Sequence, residues 1–201
     1  MRHNPFKIVE MFEENVAEYC GSKYAVAIDN CTDALLLCCK YLNVSGTNVT
    51  IPSKTYLSVP QSILHAGGIL KFRDYDWKGI YQLEPYPIYD SAKRFTSGMY
   101  VKNSYMCLSF HTKKHLKIGK GGMILTDNGN AVEWFKKARY EGRDHIDDNI
   151  EICGWNAYMT PEQAARGLTL LQALPKHNED LPEIPQYRDL RELPLFGSYK
   201  K

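Results

Sequence analysis

The chain of 201 residues is 44% apolar, 24% charged and 12% aromatic, and 25 Lys and Arg stand against 23 Asp and Glu for a net charge of +2. That length fits one domain with at most an extension and is enough to bury a core, while near-neutrality excludes a global polycation or polyanion. The longest clean apolar stretch, residues 34–39, falls far short of the roughly 18 residues that a membrane helix needs.

In chain order, the N-terminus leads straight into charged sequence without a signal-peptide core, so a cytoplasmic protein is expected. Residues 8–19 carry apolar side chains at 8, 9, 11, 12, 16 and 19, a helical face that stops at Gly21. Residues 24–28 read as a short buried strand, Asp29-Asn30-Cys31-Thr32 as capping residues, and 33–42 as a second helix. A strand is expected over 48–51, stopped by Pro52, and a helix over 55–65, disturbed by Pro60 and ended by Gly67-Gly68. Strands follow at 69–72, 87–89, 105–110 and, after Gly121-Gly122, at 123–126. Helices are expected over 130–140 and 161–174, the latter with Thr160 as cap and Pro161 at its first position. The alternation argues for a three-layer α/β fold with a mostly parallel sheet over residues 1–174. Residues 175–201 hold four prolines and many charges and are expected as an extended, loosely held tail.

Six cysteines (Cys20, Cys31, Cys38, Cys39, Cys107, Cys153) include no C-x-x-C pair, so neither a zinc knuckle nor a redox pair is indicated. Free thiols in such number fit a reducing compartment. Charge is uneven along the chain: residues 91–126 carry seven Lys or Arg and no acid, whereas 127–192 carry 13 acids and eight bases. The basic stretch reads either as a solvated face or as a pocket for a phosphorylated ligand. It is not a nucleic-acid arm, because Met106-Cys107-Leu108-Ser109-Phe110 inside it looks like a buried strand.

Three segments carry candidate chemistry. Asn30-Cys31-Thr32 between a strand and a helix is a plain cap or a phosphate site at a helix N-terminus. Asp90, ending an apolar strand, is a turn residue or a ligand at the carboxyl edge of a sheet. Ser109-Phe110-His111-Thr112-Lys113-Lys114-His115 runs from a strand into Gly119-Lys120-Gly121-Gly122. His111 and His115 lack the glutamate and the helix of a zinc motif, so no metal site is expected. The glycines lack the Lys-Ser/Thr of a P-loop. A lysine at this strand end is a surface lysine or a Schiff-base lysine.

Taken in order, a strand–helix phosphate cap, an aromatic after Pro52, a strand-end Asp and Ser-x-x-x-x-Lys before Gly-Gly resemble the DegT/StrS family of pyridoxal-phosphate-dependent sugar aminotransferases. The segments Asn30-Cys31-Thr32-Asp33-Ala34-Leu35, Ile51-Pro52-Ser53-Lys54-Thr55-Tyr56, Ser109 to Lys114 and Gly154-Trp155-Asn156 carry the likeness, over about residues 10–173. The resemblance implies the aspartate-aminotransferase (fold-type I) architecture, pyridoxal 5'-phosphate as cofactor, and transfer of an amino group, from glutamate, to a keto sugar on a nucleotide. It implies Lys114 as the Schiff-base lysine, Asp90 as partner of the pyridinium nitrogen, and Cys31, Thr32 and Ser109 as phosphate ligands. It further implies Tyr56 as the aromatic near the ring, Lys93 near the phenolic oxygen, and Asn156 reaching the phosphate of a neighbouring subunit in a homodimer. Lys93, Arg94, Lys117 and Lys120 are expected to meet nucleotide phosphates.

The sequence departs from the pattern in four places. Family members carry a C-terminal domain where about 30 residues follow here, so a shortened form is expected. The stretch between Asp74 and Ile88 lacks a helix–strand unit, Lys93 replaces a usual Gln, and Asn-Cys-Thr replaces Ser-Gly-Thr. A second reading is therefore a cofactor-binding remnant acting as a regulatory or partner subunit. A third, a related dehydratase with His in place of the lysine, is opposed by Lys114.

Overall fold

The computed structural model describes residues 4–144, 149–182 and 187–199. Among the described residues, seven strands and five α-helices follow one another. They are α1 (Lys7–Cys20), β1 (Tyr24–Ile28), α2 (Cys31–Tyr41), β2 (Asn48–Pro52), α3 (Ser58–His65), β3 (Ile69–Arg73), β4 (Tyr81–Gln82), β5 (Ile88–Asp90), β6 (Tyr105–Ser109), β7 (Gly122–Thr126), α4 (Gly129–Ala138) and α5 (Pro161–Gln172). Helix starts follow the caps: Asn30 accepts from Asp33 N, Asn128 from Ala131 N, and Thr160 and Gln163 form a reciprocal capping box with Pro161 at the first turn. Helix α1 stops at Gly21, whose φ of 81° and N–H bond to Ala17 O close the last turn. Pro60 lies in the first turn of α3, where its missing N–H leaves no helical bond unmade.

The main sheet has the order β1-β7-β6-β5-β4, and β2 and β3 form a parallel pair beside it. β5 and β6 are parallel, while β7 runs against both β1 and β6, and β4 against β5. A bridge between Thr50 and Glu84 joins β2 antiparallel to the chain leaving β4. Five strands thus share one direction, and only β4 and β7 oppose it.

Side-chain alternation shows the three layers. Val26, Ile28, Cys107 and Ile124 pack on one face with α2, α3 and α4, whereas Ala25, Ala27, Met106, Leu108, Met123 and Leu125 pack on the other with α1 and α5. Strand β1 is a sheet edge, and its free backbone groups at Ala27 are closed by side chains. Glu13 accepts from Ala27 N at 2.8 Å, Arg139 donates to Ala27 O at 2.6 Å, and Glu13 and Arg139 pair with each other while buried.

The C-terminal segment is not loosely held. Leu190–Glu192 and Pro194–Tyr199 form two 3-10 helices, and Leu190 and Phe196 are buried in the same core as α2 and β2. Leu190 N bonds to Ser53 O at 2.9 Å, and Phe196 meets Phe72 edge-on at 6.0 Å. Two isolated apolar side chains anchor a stretch whose prolines and charges otherwise read as extended. The remainder of the expected tail, residues 183–186 and 200–201, lies outside the described residues.

Candidate active site

Strands β1, β5 and β6 point the same way, so Asn30, Asp90 and Ser109 converge at their carboxyl ends, where open α/β sheets bind ligands. Asp90 is 5% exposed. Its Oδ1 accepts from Ala92 N and its Oδ2 from the Tyr81 hydroxyl, both at 2.9 Å. Burial raises the Asp90 carboxyl above its ordinary range, opposed by these two hydrogen bonds and by the charges of Lys114 and Lys93. Lys114 follows a turn in which its N–H bonds to His111 O at 2.9 Å. It is half-buried whereas Lys113 is exposed, and its charge reaches both Asp90 and Cys31. Burial thus separates two adjacent lysines that sequence alone leaves hard to distinguish.

The start of α2 closes this crevice. Thr32 Oγ1 donates to Ser58 Oγ at 2.9 Å, and the Cys31 thiol, pushed well up by burial and by Asp90, points at Cys107 O at 3.6 Å. Ser109 pairs with Gly122 across β6 and β7. A Cβ on Gly122 would lie 2.5 Å from Asn30 C and 2.7 Å from Cys31 N, so only glycine lets β7 start against the helix N-terminus. Next to Asp90, the Ser91 hydroxyl is buried and has no hydrogen-bond partner among the described residues.

The other expected site residues are placed differently. Tyr56 is 54% exposed and meets Tyr187 edge-on at 6.5 Å. Asn156 is exposed and donates to Glu141 at 3.1 Å, apart from the Asp90 cluster. Lys93 is only 6% exposed, its ammonium 4.4 Å from the Tyr187 ring centre and 5.2 Å from that of Trp77. Three of the four cations expected to meet nucleotide phosphates are already engaged by other side chains. Lys93 is buried among aromatics, Arg94 is engaged by Asp180 at 2.7 Å and Lys120 by Asp29 at 2.5 Å. Lys117 remains exposed.

Tyr81, Thr55, Trp77 and Tyr187 were not singled out from sequence. Their roles depend on strand register and on the return of the C-terminal segment, and no local motif marks either. Two surface clefts, of about 320 Å³ between α1 and α5 and about 400 Å³ between α1 and α4, share no residue with the Asp90 cluster.

The DegT/DnrJ/EryC1/StrS aminotransferase family matches residues 3–102 and 98–196. The chain belongs to this family. Similar members include GDP-perosamine synthase of Caulobacter vibrioides, 28% identical over 217 residues that cover 85% of this chain and 57% of that protein. Spore coat polysaccharide biosynthesis protein SpsC of Bacillus subtilis is 25% identical over 232 residues, covering 88% and 59%. Among solved structures, AtS13 from Actinomadura melliaura superposes with a TM-score of 0.74 at 19% identity, over 82% of this chain and 59% of that one. 3-Amino-5-hydroxybenzoic acid synthase gives 0.71 at 21%, over 82% and 55%. These likenesses establish the shared fold. The chain spans 57–59% of the length of the two curated relatives. The connection between β3 and β5 contains the two-residue β4.

Proposed function

We propose that this chain binds pyridoxal 5'-phosphate and moves an amino group, from glutamate, to a keto sugar carried on a nucleotide. The observation that carries the reading is that Asp90 ends β5 beside the parallel strand β6, and the charge of Lys114, in the loop after β6, reaches it. The residues present fit the cofactor. The charge of Lys114 reaches a buried carboxylate, and beside Asp90 lies a buried hydroxyl with no partner among the described residues.

When bound, pyridoxal phosphate supplies an electron sink for the charge that develops on the substrate carbon. Asp90 offers the anion that keeps the ring nitrogen protonated, because an adjacent opposite charge favours the charged form. The Lys114 amine would hold the cofactor and would be placed to move a proton at the substrate carbon. Cys31, Thr32, Ser109 and the free N–H groups at the start of α2 receive the phosphate. Tyr56 would supply an aromatic face to the ring, and Lys93 would set a cation where relatives of this pattern carry a neutral amide. Asn156 serves the phosphate of a second subunit, so the working form is a homodimer with shared sites. The six free cysteines accord with a cytoplasmic setting.

The test is spectroscopic and covalent. Purified protein mixed with pyridoxal phosphate is expected to gain an absorbance band that borohydride removes, leaving the added mass on Lys114. Lys114→Ala loses both. With glutamate and a 4-keto nucleotide sugar, wild type yields the amino sugar and Lys114→Ala does not. Absence of the adduct, or undiminished turnover by Lys114→Ala, overturns the reading.

A further inference from the structure

The register of β4 against β5 sets Tyr81 directly opposite Asp90. Residues opposite each other in an antiparallel pair share a face, so the phenol reaches the carboxylate across the ladder. The Tyr81 hydroxyl donates to Asp90 Oδ2 at 2.9 Å and lies 2.6 Å from Thr55 Oγ1. All three side chains are buried. A phenol has one proton. Since Tyr81 gives it to Asp90, Thr55 is the donor to Tyr81, and the hydroxyls form a directed chain from Thr55 through Tyr81 to Asp90.

The geometry points to Tyr81 as the positioning residue of the site: it fixes the orientation of Asp90 Oδ2 and favours the ionised carboxylate in a buried setting. The role rests on the function proposed above for Asp90, but the hydrogen bond belongs to the protein without cofactor. Four elements besides β5 bring charged or titratable groups to Asp90. They are Tyr81 from β4, Cys31 from α2, Cys107 from β6 and Lys114 from the loop after β6, and Lys93 follows β5 itself. Burial pushes both thiols well above their ordinary range, so they stay neutral. Burial and the Asp90 charge likewise hold Tyr81 protonated, so it remains a donor wherever Asp90 is an anion. Among the described residues, Tyr81 is the side chain that donates to Oδ2 and Ala92 N the group that donates to Oδ1. Lys114 and Lys93 act on the carboxyl through their charge.

The experiment titrates the Asp90 carboxyl by carbon NMR in cofactor-free protein, the resonance being assigned through Asp90→Asn. Tyr81→Phe is expected to raise that pKa by about one unit, as loss of a charge-assisted hydrogen bond implies. Thr55→Val, which keeps the phenol, is expected to move it in the same direction by less. Tyr89→Phe removes a phenol of the same hairpin that bonds Gln82 at 3.3 Å, and is expected to leave the carboxyl unmoved. Pyridoxal phosphate is expected to bind Tyr81→Phe about tenfold more weakly, with attachment still on Lys114. An unchanged Asp90 titration in Tyr81→Phe and Thr55→Val, or an equal shift in Tyr89→Phe, overturns the assignment. A wild-type protein that takes up no pyridoxal phosphate overturns the proposed function instead, and the carboxyl titration still decides the role of Tyr81.

Discussion

Arg94 and Asp180 meet fork to fork, Nε donating to Oδ1 and Nη2 to Oδ2, each at 2.7 Å. The pair ties the C-terminal segment to the loop after β5, and the next backbone contact, Leu181 N to Lys93 O at 2.9 Å, continues the seam. Beyond it, Tyr187 covers Lys93 and Asp189 accepts from Ser53. The segment therefore folds back over the mouth of the site and brings an aromatic ring to Tyr56.

This seam has a pH dependence of defined sign. The Arg94 hydrogen bonds hold the Asp180 carboxyl below its ordinary range. A carboxyl depressed in the folded state contributes stability above its unfolded pKa of about 4, and loses it as pH falls through the lower folded value. Acidification below about pH 4 is expected to release the C-terminal segment, seen as faster proteolytic cleavage there. Asp180→Asn is expected to cost about 1–2 kcal/mol at neutral pH, as loss of a charge-assisted fork does, and to flatten the acid limb. Urea unfolding at several pH values measures both.

Removing Arg139 leaves buried Glu13 with only the longer ion pair to Lys136, at 3.8 Å. Glu13 and Arg139 are both buried, and each also serves the backbone of Ala27 at the edge of β1. Arg139→Met is expected to destabilise the fold by about 2–4 kcal/mol, less than a fully unpaired buried charge costs because Lys136 still pairs with Glu13. The double variant Glu13→Leu, Arg139→Met is expected to recover part of this and not all, because Ala27 N–H and C=O then lose their partners. Denaturant midpoints of the two variants decide the point. Full recovery would show that the edge of β1 needs no closure.

Much of the fold was legible because its signals are local. The 8–19 face, the capped start at Thr160 and the apolar runs of β1, β6 and β7 declare themselves within a few residues. Asp90 and Ser109 close strands β5 and β6, as their apolar runs indicate, and Lys114 lies in the loop after β6. Strand β4 was not legible, because two residues carry no periodicity. Tyr81 and Thr55 enter the site only through its register against β5 and the position of β2. Lys93 reads as a surface cation until Trp77 and Tyr187, distant in sequence, enclose it. The C-terminal segment was misjudged because average composition conceals two anchors, Leu190 and Phe196.

Gly122 is a packing requirement rather than a hinge. Its Cβ position falls 2.5 Å from Asn30 C and 2.6 Å from Asn30 O, both backbone atoms that cannot rotate away. Gly122→Ala is expected to cost about 1–3 kcal/mol, the range for forced overpacking, and to displace the start of α2. Gly197, whose Cβ would meet nothing within 4 Å, gives the control: Gly197→Ala is expected to be within about 0.5 kcal/mol of wild type. Thermal unfolding of the two variants compares them directly. Near-wild-type stability of Gly122→Ala would mean that β7 and α2 can move apart.

Asp90 is expected to weaken the fold that carries it. Burial raises its carboxyl in spite of Ala92, Tyr81, Lys114 and Lys93, so the native state binds protons more tightly than the unfolded chain. Between the two pKa values stability falls as pH rises, and above that window the ionised group is a standing cost. Asparagine has the same shape. Its carbonyl oxygen can still accept from Ala92 N, and its amide can donate to the Tyr81 oxygen, with no charge to desolvate. Asp90→Asn is therefore expected to be more stable than wild type at neutral pH in the absence of cofactor. The gap is expected to close as the pH drops below the titration of Asp90, while affinity for pyridoxal phosphate is lost. Such a gain at the expense of binding is the usual exchange at a functional site. Urea midpoints of both proteins across the acid range supply the test, and a wild type that is the more stable at pH 7 would show that Lys114 and Lys93 compensate the carboxylate fully.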